Sequence, residues 1–117
     1  MAYTKKAQTF GRPSNQRRAL LRSLARALVL EESISTTEAK AKALRPFMER
    51  LVTYAKKNTL ATRRFSISRL QDKKAVEKLF KTIGPRYKDR TGGYTRIVKR
   101  TKRGTNDARK NAYIAFV

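Results

Sequence analysis

Apolar residues recur at helical spacing in the first third of the chain. Leu20, Leu21, Leu24, Ala27 and Leu28 fall on one face of a helix expected from about Ser14, its N-cap, to Leu30. A second helix is expected after Thr37, which caps it, with Glu38 in the first turn where the helix dipole favours an acid. Leu44, Phe47, Met48, Leu51, Val52 and Ala55 give its buried face. Pro46 lies inside that pattern and predicts a kink, because it removes a backbone donor and crowds the carbonyl four residues back. A shorter helix with weaker periodicity is expected from Leu60 to about Leu70. A fourth starts at Asp72, with Val76, Leu79, Phe80 and Ile83 on one face. Gly84 suits the left-handed position after its last turn, and Pro85 then prevents continuation.

The period changes to two in three places. "SISTT" reads as a short strand with Ile34 and Thr36 on one side, and "YTRIVKR" and "AYIAFV" as two more, rich in β-branched and aromatic residues. A basic and polar tip joins the last two, which pair most simply as antiparallel neighbours. The expected fold class is α+β, with four helices packed on one face of a small mixed three-stranded sheet. Residues 1–13, which carry Lys5, Lys6 and Arg12 and are punctuated by Gly11 and Pro13, read as an extended basic N-terminal arm or as a frayed terminus. The expected organisation is this arm followed by a single domain over 14–117.

Charge changes the picture. Among 117 residues, Lys and Arg number 30 and Asp and Glu 8, for a formal net charge of +22. Self-repulsion on that scale opposes compaction, so it implies a polyanionic partner. Nucleic acid leads because its phosphates release counterions on binding. An anionic membrane surface fits less well, since it usually goes with one strongly amphipathic segment, whereas basic residues here are spread along the entire chain. No stretch approaches the ~20 apolar residues of a membrane span, and "MAYTKKAQTF" lacks the apolar run of a secretory signal. The expectation is a soluble, intracellular protein with no membrane partner and no small-molecule substrate.

There is no Cys and no His. Disulfides, thiol nucleophiles, the usual zinc sites and the commonest general base are thereby removed. The carboxylates are scattered, with Glu31 and Glu32 as the one adjacent pair. No catalytic residue, metal or cofactor is expected.

Two basic clusters are candidates for phosphate contact. Arg18, Arg22 and Arg26 are four apart; at about 100° per residue they form a stripe nearly opposite the leucines of the first helix. A solvated face usually mixes signs, and this helix has no acid before Glu31, which favours phosphate contact over solvation. Arg22→Glu is accordingly expected to weaken assembly and to leave the isolated fold near wild-type stability. The second cluster runs through Arg86, Lys88, Arg90, Arg96, Lys99, Arg100, Lys102 and Arg103, with Tyr87 and Tyr94 interleaved. Guanidiniums hold phosphate through a bidentate fork. Tyr94 has two readings, stacking on an unpaired base or packing in the sheet. Arg63 and Arg64 on the third helix and Arg109 at the tip add further candidates.

Gly92 and Gly93 pose a separate question. A phosphate loop of a nucleotide enzyme follows a strand and opens a helix. Here "GPRYKDRT" precedes the glycines and a strand follows, so they mark a turn or bulge into that strand.

The segments "RALLRSLARALVLEESISTTEAKAKALRPFMERLVTYAKK", "LFKTIGPRYKDRTGGYTRIVKR" and "AYIAFV" occur in that order. Together they resemble the bacterial-type large-subunit ribosomal protein seventeen family over about residues 12–117. The stretch "GPRYKDRTGGYTRI" is the most specific part of the match. The resemblance implies a structural component of the large ribosomal subunit with no catalytic activity. It implies binding to large-subunit ribosomal RNA near the end of the nascent-chain exit tunnel, beside neighbouring large-subunit ribosomal proteins. The family's basic motif positions correspond here to Arg12, Arg17, Arg22, Lys40, Lys42, Arg45, Arg86, Arg90 and Arg96, with the turn Gly92-Gly93-Tyr94-Thr95. Two segments depart from the family pattern. Residues 2–8 read "AYTKKAQ" and residue 16 is Gln, where the family has Arg-His-Arg and a further His before the first helix. The tip "RGTNDARKN" is longer and more basic than usual.

The leading expectation is an RNA-scaffold protein that neutralises phosphates from several elements at once. A DNA-compacting protein is the alternative, but a DNA reader commonly presents one recognition element to a groove, and the charge here is dispersed. An enzyme acting on nucleic acid would need a metal-binding carboxylate cluster, which the sequence does not suggest.

Overall fold

The computed structural model describes residues 14–100 and 110–117. Helix α1 (Ser14–Glu31) begins at Ser14, so the expected N-cap is its first helical residue, and Ser14 Oγ accepts from Arg18 Nη2 at 3.4 Å. Glu32 ends it in the left-handed region at φ 66°, its N–H donating to Leu28 O. Strand β1 (Ser33–Thr37) follows directly. Thr37 then caps α2 (Glu38–Lys57) by accepting from Lys40 N at 3.3 Å. Helix α2 runs unbroken through Pro46 and stops at Asn58, which takes the left-handed conformation. A reciprocal pair of bonds between Thr59 and Thr62 opens α3 (Leu60–Leu70). Asp72 caps α4 (Lys73–Lys78) by accepting from Lys74 N and Ala75 N.

Helix α4 does not stop as its glycine suggests. It widens into a π-helical turn (Leu79–Ile83) and closes with one more α turn (Gly84–Arg86). Gly84 is right-handed, at φ −54° and ψ −55°, so its expected role as a left-handed terminator is corrected. The glycine is required by packing: a Cβ there would lie 3.0 Å from Ala55 O and 3.1 Å from Ala55 Cβ. Pro85 sits in the first turn of the closing segment, where its missing N–H costs least. The wide turn before it donates from Gly84 N to Leu79 O, five residues back.

Strands β2 (Thr95–Lys99) and β3 (Asn111–Phe116) complete a sheet of order β1-β3-β2. Both pairings are antiparallel, which corrects the expectation of a mixed sheet. The C-terminal strand enters between the other two and runs against each. Its register aligns Ile34, Ile114 and Ile97 in one row across all three strands. This row faces α2, whose Ala41, Leu44, Met48, Leu51, Val52 and Ala55 are all buried. Leu28 and Val29 of α1, Leu70 of α3 and Leu79 and Ile83 of the π turn close the core from the other side. Each such aliphatic side chain contributes roughly 1.5–3 kcal/mol of transfer free energy. The central position of α2 is what holds the turn before β2 and the helix surfaces in fixed relation.

Candidate nucleic-acid interface

The arginine stripe of α1 turns inward along part of its length. Arg26 Nε donates to Leu70 O at 2.6 Å and Arg26 Nη2 to Gln71 O at 3.3 Å. Arg22 Nε reaches Arg69 O at 3.3 Å. These carbonyls are the unsatisfied C-terminal acceptors of α3, where the helix dipole also favours a cation. The arrangement is reciprocal: Lys78 Nζ from α4 donates to Leu30 O at the end of α1. Arg22, expected to be external to the fold, thus has a partner within it, and Arg26 is tied to the same helix end. Periodicity located their face but could not show that α3 ends against it. Arg18 remains exposed one turn earlier, and Arg17 is half-buried.

Arg86 is also committed. It makes a close ion pair with Glu32, which Lys78 approaches at 3.4 Å. The hydrogen bond from Arg86 holds the Glu32 carboxyl below its ordinary value against partial desolvation, and the same bond raises Arg86.

The double-glycine turn is built from α2. Gly92 and Gly93 have φ of +145° and +63°, conformations open to glycine. The next two backbone N–H groups, of Tyr94 and Thr95, donate to the carboxylate of Glu49 at 3.0 and 3.3 Å, and Thr95 Oγ1 adds a third bond at 3.0 Å. Tyr94 is 2% exposed. Its ring lies 5.3 Å from that of Tyr87, and its hydroxyl meets Lys56 Nζ at 3.0 Å and Arg90 O at 3.2 Å. Of its two readings, packing is the one the structure shows. Glu49 and Lys56 escaped the sequence reading, because a Glu and a Lys on a helix surface give no signal of the turn they hold. Around this turn Arg45, Arg50, Gly92 and Gly93 line one open depression, and a Cβ on Gly92 would meet nothing within 4 Å. The backbone of the turn is thus reachable from outside beside two arginines.

Other cations are distributed. Lys42 pairs with Glu38 at 3.0 Å and Arg45 stands 4.0 Å from Glu49. Lys40 is half-buried. Arg63 bonds Asn58 Oδ1 and covers the Phe80 ring, while Arg64 is exposed. On β2, Arg96 is exposed, and Lys99 approaches Glu38 at 3.5 Å although its side chain is 71% exposed. Arg100 follows the strand and reaches Ser35 on β1. Lys5, Lys6, Arg12, Lys102, Arg103 and Arg109 lie outside the described residues, as do the arm and the hairpin tip. The candidates do not converge on one cleft; they occupy α1, the glycine turn with α2, α3 and the sheet.

Among the described residues, no group of three or more Asp or Glu side chains is placed to hold a metal ion, and no helix is long and apolar enough to cross a membrane. The fold and its cations define a class: a small α+β protein with lysine and arginine on helices, turn and sheet alike. Residues 20–117 match the family model described as ribosomal protein L17. A protein named large ribosomal subunit protein bL17 from Hydrogenobaculum sp. (strain Y04AAS1) is 53% identical over 117 residues, covering 100% of this chain and 99% of the relative. Its namesake from Persephonella marina is 52% identical over 118 residues, covering 100% and 95%. One from Rickettsia bellii is 55% identical over 104 residues, covering 89% and 72%. The chain belongs to the ribosomal protein L17 family. It is accordingly a ribosomal protein, structural rather than catalytic.

Proposed function

We propose that the protein is a constituent of the large ribosomal subunit. There it binds and stabilises large-subunit ribosomal RNA near the nascent-chain exit tunnel, in the cytoplasm, beside neighbouring large-subunit proteins. The names of the relatives support the subunit assignment. The observation that carries the RNA reading is the placing of exposed cations on the helices, the glycine turn and β2, while four of the acids face cations of the same molecule. Glu32, Glu38, Glu49 and Glu77 each face a basic side chain of the same molecule. What remains outside is strongly positive: Arg18, Arg50, Arg64, Lys88 and Arg96 are all exposed. A surface of this kind neutralises phosphates on several strands of a folded RNA. The mechanism is positioning: a rigid core holds separated cations at fixed spacing, so each RNA segment they touch is fixed relative to the others. Sucrose-gradient fractionation of a lysate, followed by a high-salt wash, tests the reading. Sedimentation with the large subunit is expected; recovery with DNA or as free protein would overturn it.

A further inference from the structure

The stripe and the glycine turn leave out the outer face of the sheet. The alternation that turns Ala112 and Ile114 toward the helices turns Tyr113 the other way. Register places Tyr113, in the central strand, between Ser35 of β1 and Val98 of β2. Arg96 stands on the same face, opposite Ala115. Arg100 ties the strands together: its Nη2 donates to Ser35 Oγ at 2.7 Å, and its guanidinium lies 5.7 Å from the centre of the Tyr113 ring. Ser33, Ser35, Arg96 and Arg100 are exposed, and Tyr113 and Val98 are half-buried. None of the three strands contains an Asp or Glu.

We propose that this face stacks one unpaired base of the RNA. The base lies against the Arg100–Tyr113 pair, and Arg96 takes an adjacent phosphate. Arginine alone would serve for phosphate; an aromatic ring set on the open face of the central strand adds a surface that rewards a free base, whereas the bases of a duplex are already stacked. The absence of carboxylates from the strands matches a polyanionic occupant. The inference rests on the RNA-binding reading and adds to it a preference for a single-stranded segment at one place.

The test uses the full chain and a single-stranded oligoribonucleotide of mixed sequence carrying 2-aminopurine, with the same strand in a duplex as comparison. Wild type and Tyr113→Phe should bind the single strand alike and quench the 2-aminopurine. Tyr113→Leu, which keeps a strand-compatible apolar side chain, should lose roughly tenfold in affinity, and the quenching with it. Its salt dependence should stay unchanged, whereas Arg96→Ala should reduce the slope of log K against log salt by about 0.7. Binding by Tyr113→Leu within about twofold of wild type, or an equal loss toward the duplex, overturns the inference and leaves the parent reading intact. Failure of wild type to bind either RNA overturns the parent reading itself.

Discussion

Arg26 of α1 donates through Nε to the carbonyl of Leu70, the last residue of α3, at 2.6 Å. Two helices that are distant in sequence are fastened by a cation in a position that looks, from α1, like part of a solvent-facing stripe. Arg26→Leu should destabilise the fold by about 1–2 kcal/mol, since it removes a charge-assisted bond to a partly buried acceptor. Arg18→Leu, two stripe positions before Arg26, should cost less than about 0.5 kcal/mol. Urea unfolding of the two variants checks the contrast.

Arg22→Glu should affect both fold and assembly. The substitution would set a carboxylate against the carbonyl end of α3, where Arg22 Nε now sits 3.3 Å from Arg69 O. A loss of about 1 kcal/mol is expected by urea titration of the isolated protein. Stability equal to wild type would return Arg22 to a purely external role.

Glu49→Ala should loosen the segment entering β2. Three donors from Tyr94 and Thr95 would lose one acceptor group. The expected cost is about 2 kcal/mol, with faster hydrogen exchange at the Tyr94 and Thr95 amides. Because Arg45 and Arg50 border the same turn, RNA affinity should fall even though no cation is removed.

Gly84→Ala tests the reassigned glycine. With Ala55 O 3.0 Å from the new Cβ, the closing turn at Gly84 and α2 must move apart, at a cost of about 1–3 kcal/mol. A left-handed terminator would also resist alanine, but the backbone there is right-handed. A gain in stability, as for an unhindered helical glycine, would contradict the packing role.

Acid should weaken the fold through its ion pairs. Hydrogen bonds from Arg86, Lys42 and Lys81 lower Glu32, Glu38 and Glu77, respectively, from the ordinary 4.5. A depressed carboxyl contributes stability above its unfolded value, and that contribution is lost as pH falls through the folded one. Melting temperature should therefore be insensitive to these groups near neutral pH and decline below about 4.5. The difference between wild type and Glu32→Gln should shrink over that same acid range. A gap that widens on acidification would contradict the assignment.

Much of the fold was legible because its signals are local. The capping residues Thr37 and Asp72, the apolar face of α2 and the two-residue alternation of the strands are each written within a few positions. The failures are tertiary. Nothing near Gly84 announces Ala55, and nothing in α1 announces the end of α3. The placing of β3 between β1 and β2 depends on pairing residues as far apart as Ser33 and Ala115. The candidate site follows the same rule. Exposed Arg64 and Arg96 were visible as charges, whereas burial of Tyr94 and the outward position of Tyr113 required a sheet with helices on a known side. The alternation in "AYIAFV" already sets Tyr113 opposite to Ile114, so that signal was present before its face had meaning.

The central claim is that dispersed cations on a rigid core hold folded RNA. Its most direct measurement is the affinity of the full chain for large-subunit ribosomal RNA across a salt series. Each phosphate contact should contribute roughly −0.7 to −0.9 to the slope of log K against log salt, so contacts from several elements predict a steep slope several times that size. A slope near zero would mean that the charge of +22 is not what binds, and would contradict the account.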